Sequence, residues 1–108
     1  MIRVDTTTLA DLINRCFAFA TDARLAQNVQ AAFLADGKRL RGLLLNLLSA
    51  QFDDGTQAVL EANQEITNVN AQLSDSVAAL ANVAASLAAV ASIVGSLDKL
   101  LGVASAFV

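Results

Sequence analysis

The stretch Thr56–Val108, TQAVLEANQEITNVNAQLSDSVAALANVAASLAAVASIVGSLDKLLGVASAFV, decides how the chain is read. Apolar residues recur in it with alternating steps of three and four. The series runs through Val59, Ala62, Ile66, Val69, Leu73, Leu80, Val83, Leu87, Val90, Val94, Leu97, Leu101, Ala104 and Val108, and Ser76 interrupts it. Such steps form the heptad seam of helices that pack lengthwise. The stretch is therefore expected to be one long helix, reaching about 80 Å at 1.5 Å per residue.

Working outward, Asp53-Asp54-Gly55-Thr56 is the strongest turn signal, with Gly to end one helix and Asp or Thr to cap the next. On its other side residues 8–52 form a first arm of about 65 Å. Thr8 reads as its N-cap, with Asp11 in the capping-box position. Leu9, Leu12, Ile13, Cys16, Phe17 and Ala20, then Leu25, Val29, Ala32 and Phe33, give it a helical stripe to about Ala35. Thr21-Asp22 is a candidate kink, because both side chains compete for backbone groups. Asp36-Gly37 is expected to break the arm, starting a second helix over Lys38–Phe52. That helix carries Leu40, Leu43, Leu44, Leu45, Leu47 and Leu48 on more than one face and is expected to be nearly surrounded.

The chain has no Pro, and Ala and Leu abound, so the fold class is all-α. The near-equal arms predict an elongated helical hairpin: two long antiparallel arms, 8–52 and 56–108, in a single helical domain. A compact bundle bent at Gly37 and Gly95 is the alternative. The apolar share, 56%, exceeds what a thin hairpin can hide. Part of that surface should therefore meet another copy in an oligomeric bundle, a partner chain or lipid.

Net charge is −3, unevenly spread. Residues 1–52 hold six basic and four acidic side chains, and residues 53–108 one basic and six acidic. The halves attract, within one chain or between copies. A pI of about 4.5 argues against nucleic acid as a partner. Asp5 and three threonines follow Met1 where a secretory leader needs an apolar run. A cytoplasmic protein, or one exported by a signal-independent route, is the expectation.

Function is read from surfaces, because catalytic groups are scarce. There is no His and no Tyr, and Cys16 has no neighbour in sequence that would activate it. It reads as a core thiol beside Ile13, Phe17 and Ala20. Glu61 and Glu65 lie one turn apart but lack the His of carboxylate metal bundles. The expectation is a non-enzyme without cofactor or metal. The five Phe residues are not interleaved with basic ones, so they read as core anchors rather than a nucleic-acid platform.

Ser76–Leu97 is 22 residues without a charge. Its seam, with the residue before it, supplies the predicted self-association surface: Leu73, Leu80, Val83, Leu87, Val90, Val94 and Leu97. Ala81, Ala85 and Ala89 are the small residues that let a second helix come close. The same segment is long enough to span a bilayer, although Asn82 opposes insertion and Ala contributes little to it. Lys38, Arg39 and Arg41 form the basic cluster, read either as an anion or lipid-headgroup contact or as a solvated helix end paired with acidic residues of the other arm. The spacing there is not that of a P-loop. Gly37-Lys38-Arg39-Leu40-Arg41 resembles the basic helix start of isoprenyl diphosphate synthases, but their paired Asp-rich metal motif is missing.

In its neutral polar residues, scarce Lys and lack of Pro, residues 57–94 are similar to the helical ends of flagellin-like and needle-like filament subunits of bacterial export systems. That likeness implies an assembling subunit. The leading expectation is thus a structural or interaction protein that self-associates through its Ala-rich helix. The alternatives are a membrane-active protein, pore-forming or holin-like, that inserts 76–97, and a small helical adaptor or immunity protein that meets one helical partner.

Overall fold

The computed structural model describes residues 4–48 and 56–105. The predicted turn at Asp53-Asp54-Gly55, together with Phe52, Phe107 and Val108, lies outside them. The described residues form α1 (Thr6–Ala20), α2 (Gln27–Leu47), α3 (Thr56–Ser74), α4 (Ser76–Ala81) and α5 (Val83–Ser105), with no strand among them. The all-α reading is what the chain forms.

Four long helices stand in a square, with α4 a single short linker. α1 packs on α2 and α3, and α5 packs on the same two, so α1 lies diagonal to α5 and α2 diagonal to α3. The molecule measures 44 × 20 × 19 Å. The 65 and 80 Å arms are therefore each folded once. The fold is the compact alternative, but neither bend is at the expected glycine.

The first bend falls at residues 21–26. Thr21 Oγ1 donates to the Ala18 carbonyl (3.2 Å) as α1 ends. The Asp22 carboxylate then accepts from the Arg24 backbone N–H (2.9 Å) and from its guanidinium at Nε (3.0 Å) and Nη2 (2.7 Å). These bonds, led by the guanidinium, hold the Asp22 carboxyl down at about 2. Local side-chain bonds thus replace helical ones where the sequence offers Thr-Asp. Asp36-Gly37, expected as the break, is helical and lies in the middle of α2. Gly37 is buried at the crossing with α1, where an added Cβ would sit 2.9 Å from Phe17 Cε1 and 3.3 Å from Cys16 Cβ. Its use is close approach of two backbones, which outweighs the weak helix preference of glycine. Beside it the Phe19 and Phe33 rings stack, centroids 5.1 Å apart.

The second bend divides the expected long helix at Asp75 and Asn82. Ser74 Oγ donates to the Ala71 carbonyl (2.7 Å), and Asp75 Oδ1 caps α4 by accepting from Val77 and Ala78 N–H (3.1 and 3.2 Å). Asn82 Nδ2 donates to the Ala78 carbonyl (3.2 Å) as α4 closes. The heptad series is interrupted here, at Ser76, but resumes at Leu80, and the capping side chains of Asp75 and Asn82 lie outside the apolar pattern. Gly95 is helical, exposed, and has nothing within 4 Å of where its Cβ would be.

α1 begins earlier than expected. Asp5, not Thr8, is its N-cap and accepts from the Thr8 N–H (3.0 Å). Hydrogen bonding from Thr8 lowers the Asp5 carboxyl. The Asp5 N–H in turn donates to Asn63 Oδ1 (2.7 Å), and Asn70 Nδ2 donates to the Thr8 carbonyl (2.8 Å), fixing α1 alongside α3. The core joins Leu9, Leu12, Phe33, Leu40, Ile66, Leu73, Ile93 and Leu97 from all four long helices.

Candidate functional site

The α3–α5 hairpin carries most of what is chemically distinctive. The two helices run antiparallel, with three polar ties between them. Ser92 Oγ donates to Glu65 Oε1 (2.7 Å), Ser96 Oγ donates to Glu65 Oε2 (3.2 Å), and Gln72 Nε2 donates to Ser86 Oγ (3.4 Å). Ser86 is fully buried, and its Oγ donates a hydrogen bond to the Asn82 carbonyl (3.2 Å). A shallow cleft of about 290 Å³ follows, lined by Ala58, Glu61, Ala62, Glu65, Ser96, Lys99 and Leu100. Both Glu65 oxygens already accept serine protons, while Glu61 accepts from Gln57 Nε2 (3.3 Å). Among the described residues no three His, Cys, Asp or Glu converge to hold a metal. The two serine bonds to Glu65 at the cleft's edge tie α3 to α5, and nothing in the sequence pattern pointed to Glu65, Ser92 and Ser96 as partners.

The predicted association seam faces inward. Leu73, Val90, Val94 and Leu97 are buried in the bundle's own core, and Leu80, Val83 and Leu87 pack against it. These residues are satisfied within one chain, which corrects their reading as a contact surface between copies. The heptad periodicity reported an internal helix–helix contact, because folding back at residues 75–82 gave the seam a partner in its own chain. The close-approach residues divide: Ala81 and Ala85 are exposed, while Ala89 packs against the core.

What remains outside is the opposite face of α5. Ala84, Ala85, Ala88, Ala91, Ser92 and Gly95 are exposed, followed by Asp98, Lys99 and Gly102. The face is small-sided and carries no charge before Asp98. α5 is also the one helix among the described residues long and apolar enough to cross a membrane, over Val83–Gly102, with one third of that window buried. This shifts the candidate span from 76–97, which is not one helix but two pieces broken at Asn82.

On α2 the basic cluster separates. Arg39 Nη2 approaches Asp98 Oδ2 of α5 at 3.4 Å, both side chains more than half exposed, a pairing of little energetic weight. Lys38 and Arg41 are exposed and form no ion pair among the described residues. Nor is α2 surrounded as its leucines suggested: Leu45 is 63% and Leu48 58% exposed. Cys16 is fully buried, and burial, with the Asp36 charge adding to it, pushes its thiol up to about 12. It stays protonated at neutral pH and is a packing residue.

Compared with protein-family models, with curated proteins and with solved structures, the chain matches none of them.

Proposed function

We propose that this chain is a non-enzymatic structural and interaction protein that associates with copies of itself through the outer face of α5. The supporting observation is the exposure of an apolar, small-sided surface along about half of a 23-residue helix, from Ala84 to Gly95, whose other side is core. Ala84, Ala88, Ala91 and Gly95 follow steps of four and three on that surface. Methyl groups at this spacing let a second helix axis come close, so many weak contacts add along the length. On this reading the associating element is still the Ala-rich helix, through the face opposite to the predicted seam. If the contact pairs unlike surfaces, copies extend into a filament, and if it pairs like surfaces it closes as a dimer.

The test is light scattering after size exclusion without detergent. The expected result is a defined oligomer or filament. Ala88→Leu, which places a large side chain on the exposed face, is expected to release monomer with unchanged far-UV helicity. A wild-type chain that is monomeric at high concentration sinks the reading.

A second reading, insertion of α5 into a bilayer, draws support from the length of Val83–Gly102, about 30 Å as helix. Asp98 and Lys99 inside that window oppose it. Recovery of the protein only from the membrane fraction, with rescue by detergent, would favour insertion. Co-purification of one different helical chain would favour the adaptor reading instead.

A further inference from the structure

The outer flank of α2 carries a second pattern, independent of α5. Leu34, Lys38, Arg41, Leu45 and Leu48 follow steps of four, three, four and three, and all five are exposed. At 100° per residue they occupy about a quarter of the helix circumference. The core side of α2 is filled by Phe33, Gly37, Leu40, Leu43 and Leu47. The flank is therefore a separate stripe, not an overflow of the core. It holds three of the large apolar side chains exposed among the described residues; the other two, Leu60 and Val77, stand on α3 and α4. The stripe has two cations and no carboxylate. Asp36, nearby in sequence, is half-buried and lies about 160° round the helix from Lys38. Arg39, the third cation, is drawn away towards Asp98 of α5.

Exposed leucines alone would fit many partners, and exposed cations alone are usually just solvated. Their alternation on one stripe is more selective. A surface that satisfies both must offer anionic groups and apolar depth a few ångströms apart. Long Lys and Arg stems can lie along the apolar layer while their charges reach phosphate. Leu45 and Leu48, at the C-terminal end of α2, are the more exposed of the stripe's three leucines and supply the apolar contact.

We infer that this flank docks α2, lying flat, on the surface of an anionic phospholipid bilayer. Lys38 and Arg41 contact headgroup phosphates, while Leu34, Leu45 and Leu48 enter the acyl boundary. The bundle stays folded in this arrangement, since none of the five residues is part of the core. The chain's net charge of −3 opposes approach to such a surface, so the contact is local and weakens with salt.

The experiment is flotation of the full chain with vesicles of phosphatidylglycerol and phosphatidylcholine, against vesicles of phosphatidylcholine alone. Binding to the anionic vesicles only, lost at high salt, is expected. Lys38→Gln with Arg41→Gln should lower partitioning roughly 30-fold. Leu45→Ser with Leu48→Ser should lower it too, while keeping the salt dependence. Thermal melts and light scattering of both variants should match wild type, which separates this inference from association through α5. Three outcomes overturn it: no binding to anionic vesicles, equal binding to both vesicle types, or charge variants that bind as wild type. If Leu45→Ser with Leu48→Ser instead dissolves an oligomer and leaves vesicle binding intact, a second copy covers the stripe and the lipid assignment is wrong.

Discussion

The two hairpins of this bundle solve one problem in different ways. α1 and α2 meet through large side chains around a single missing one: Phe19 stacks on Phe33, and Gly37 lets Phe17 and Cys16 come near. α3 and α5 meet through aliphatic side chains, small residues and hydrogen bonds, with Glu65 held by Ser92 and Ser96 and Gln72 by Ser86. The first hairpin keeps its specificity inside, in shape. The second keeps it partly at the edge of the core, in polar ties, and leaves a smooth apolar surface on α5. α5 commits its large side chains, Val90, Ile93, Val94, Leu97 and Leu100, to the core and presents small ones outward. This is why the second hairpin is the better candidate for contact between copies.

The comparison can be broken most directly at Phe33. It is almost fully buried, and Phe33→Ala should destabilise the chain by about 3–5 kcal/mol, read as a fall in the denaturant midpoint. A loss below about 1 kcal/mol would mean the first hairpin does not depend on its aromatic contact. Gly37→Leu should follow, at about 1–3 kcal/mol, because the helix crossing has no room for the new side chain. In the second hairpin, Glu65→Gln removes one acceptor from two serines. We expect only about 1 kcal/mol in chemical denaturation, since the hydroxyls can turn to water. An effect as large as that of Phe33→Ala would show that the polar ties, and not the apolar contacts, hold α3 to α5. The smallest change has the opposite sign. Gly95→Ala meets nothing within 4 Å and should stabilise the monomer by roughly 0.5–1 kcal/mol through helix preference. It also adds a methyl to the proposed association face, so its effects on melting and on oligomer size sharpen the distinction between folding and assembly.

Much of the helix content was legible because apolar spacing reports which side of a helix is covered. Val90, Val94 and Leu97 were read correctly as one seam. What covers that seam was not legible. The same spacing serves a coiled coil between chains and a helix folded on its own neighbour. The bends were legible in part: Thr21-Asp22 reads as a candidate kink and does end α1, whereas the break at Ser74-Asp75 was not foreseen. Thr21-Asp22 and Ser74-Asp75 hold local hydrogen bonds that end helices, while Gly37 and Gly95, the conventional breakers, continue them. A glycine's effect depends on whether a neighbouring element needs its space, and that neighbour is absent from the local sequence. The exposed flank of α2 was hidden for a related reason. Leu40 and Leu43 are buried while Leu45 and Leu48 are not, though composition makes them equivalent.

By itself the sequence determined the class of structure. The lack of Pro, the abundance of Ala and Leu and the three-four spacing leave helix as the conformation that pairs every backbone group and buries one side. It also determined that apolar surface would remain outside, since 56% apolar residues exceed what so small a core can take up. Tertiary structure decided which residues those are. Once residues 75–82 turn the chain back, Val90, Ile93 and Leu97 are committed to the interior, and Ala84, Ala88, Ala91 and Gly95 are left on the surface. Burial is a property of what packs against a face, and no local pattern carries that information.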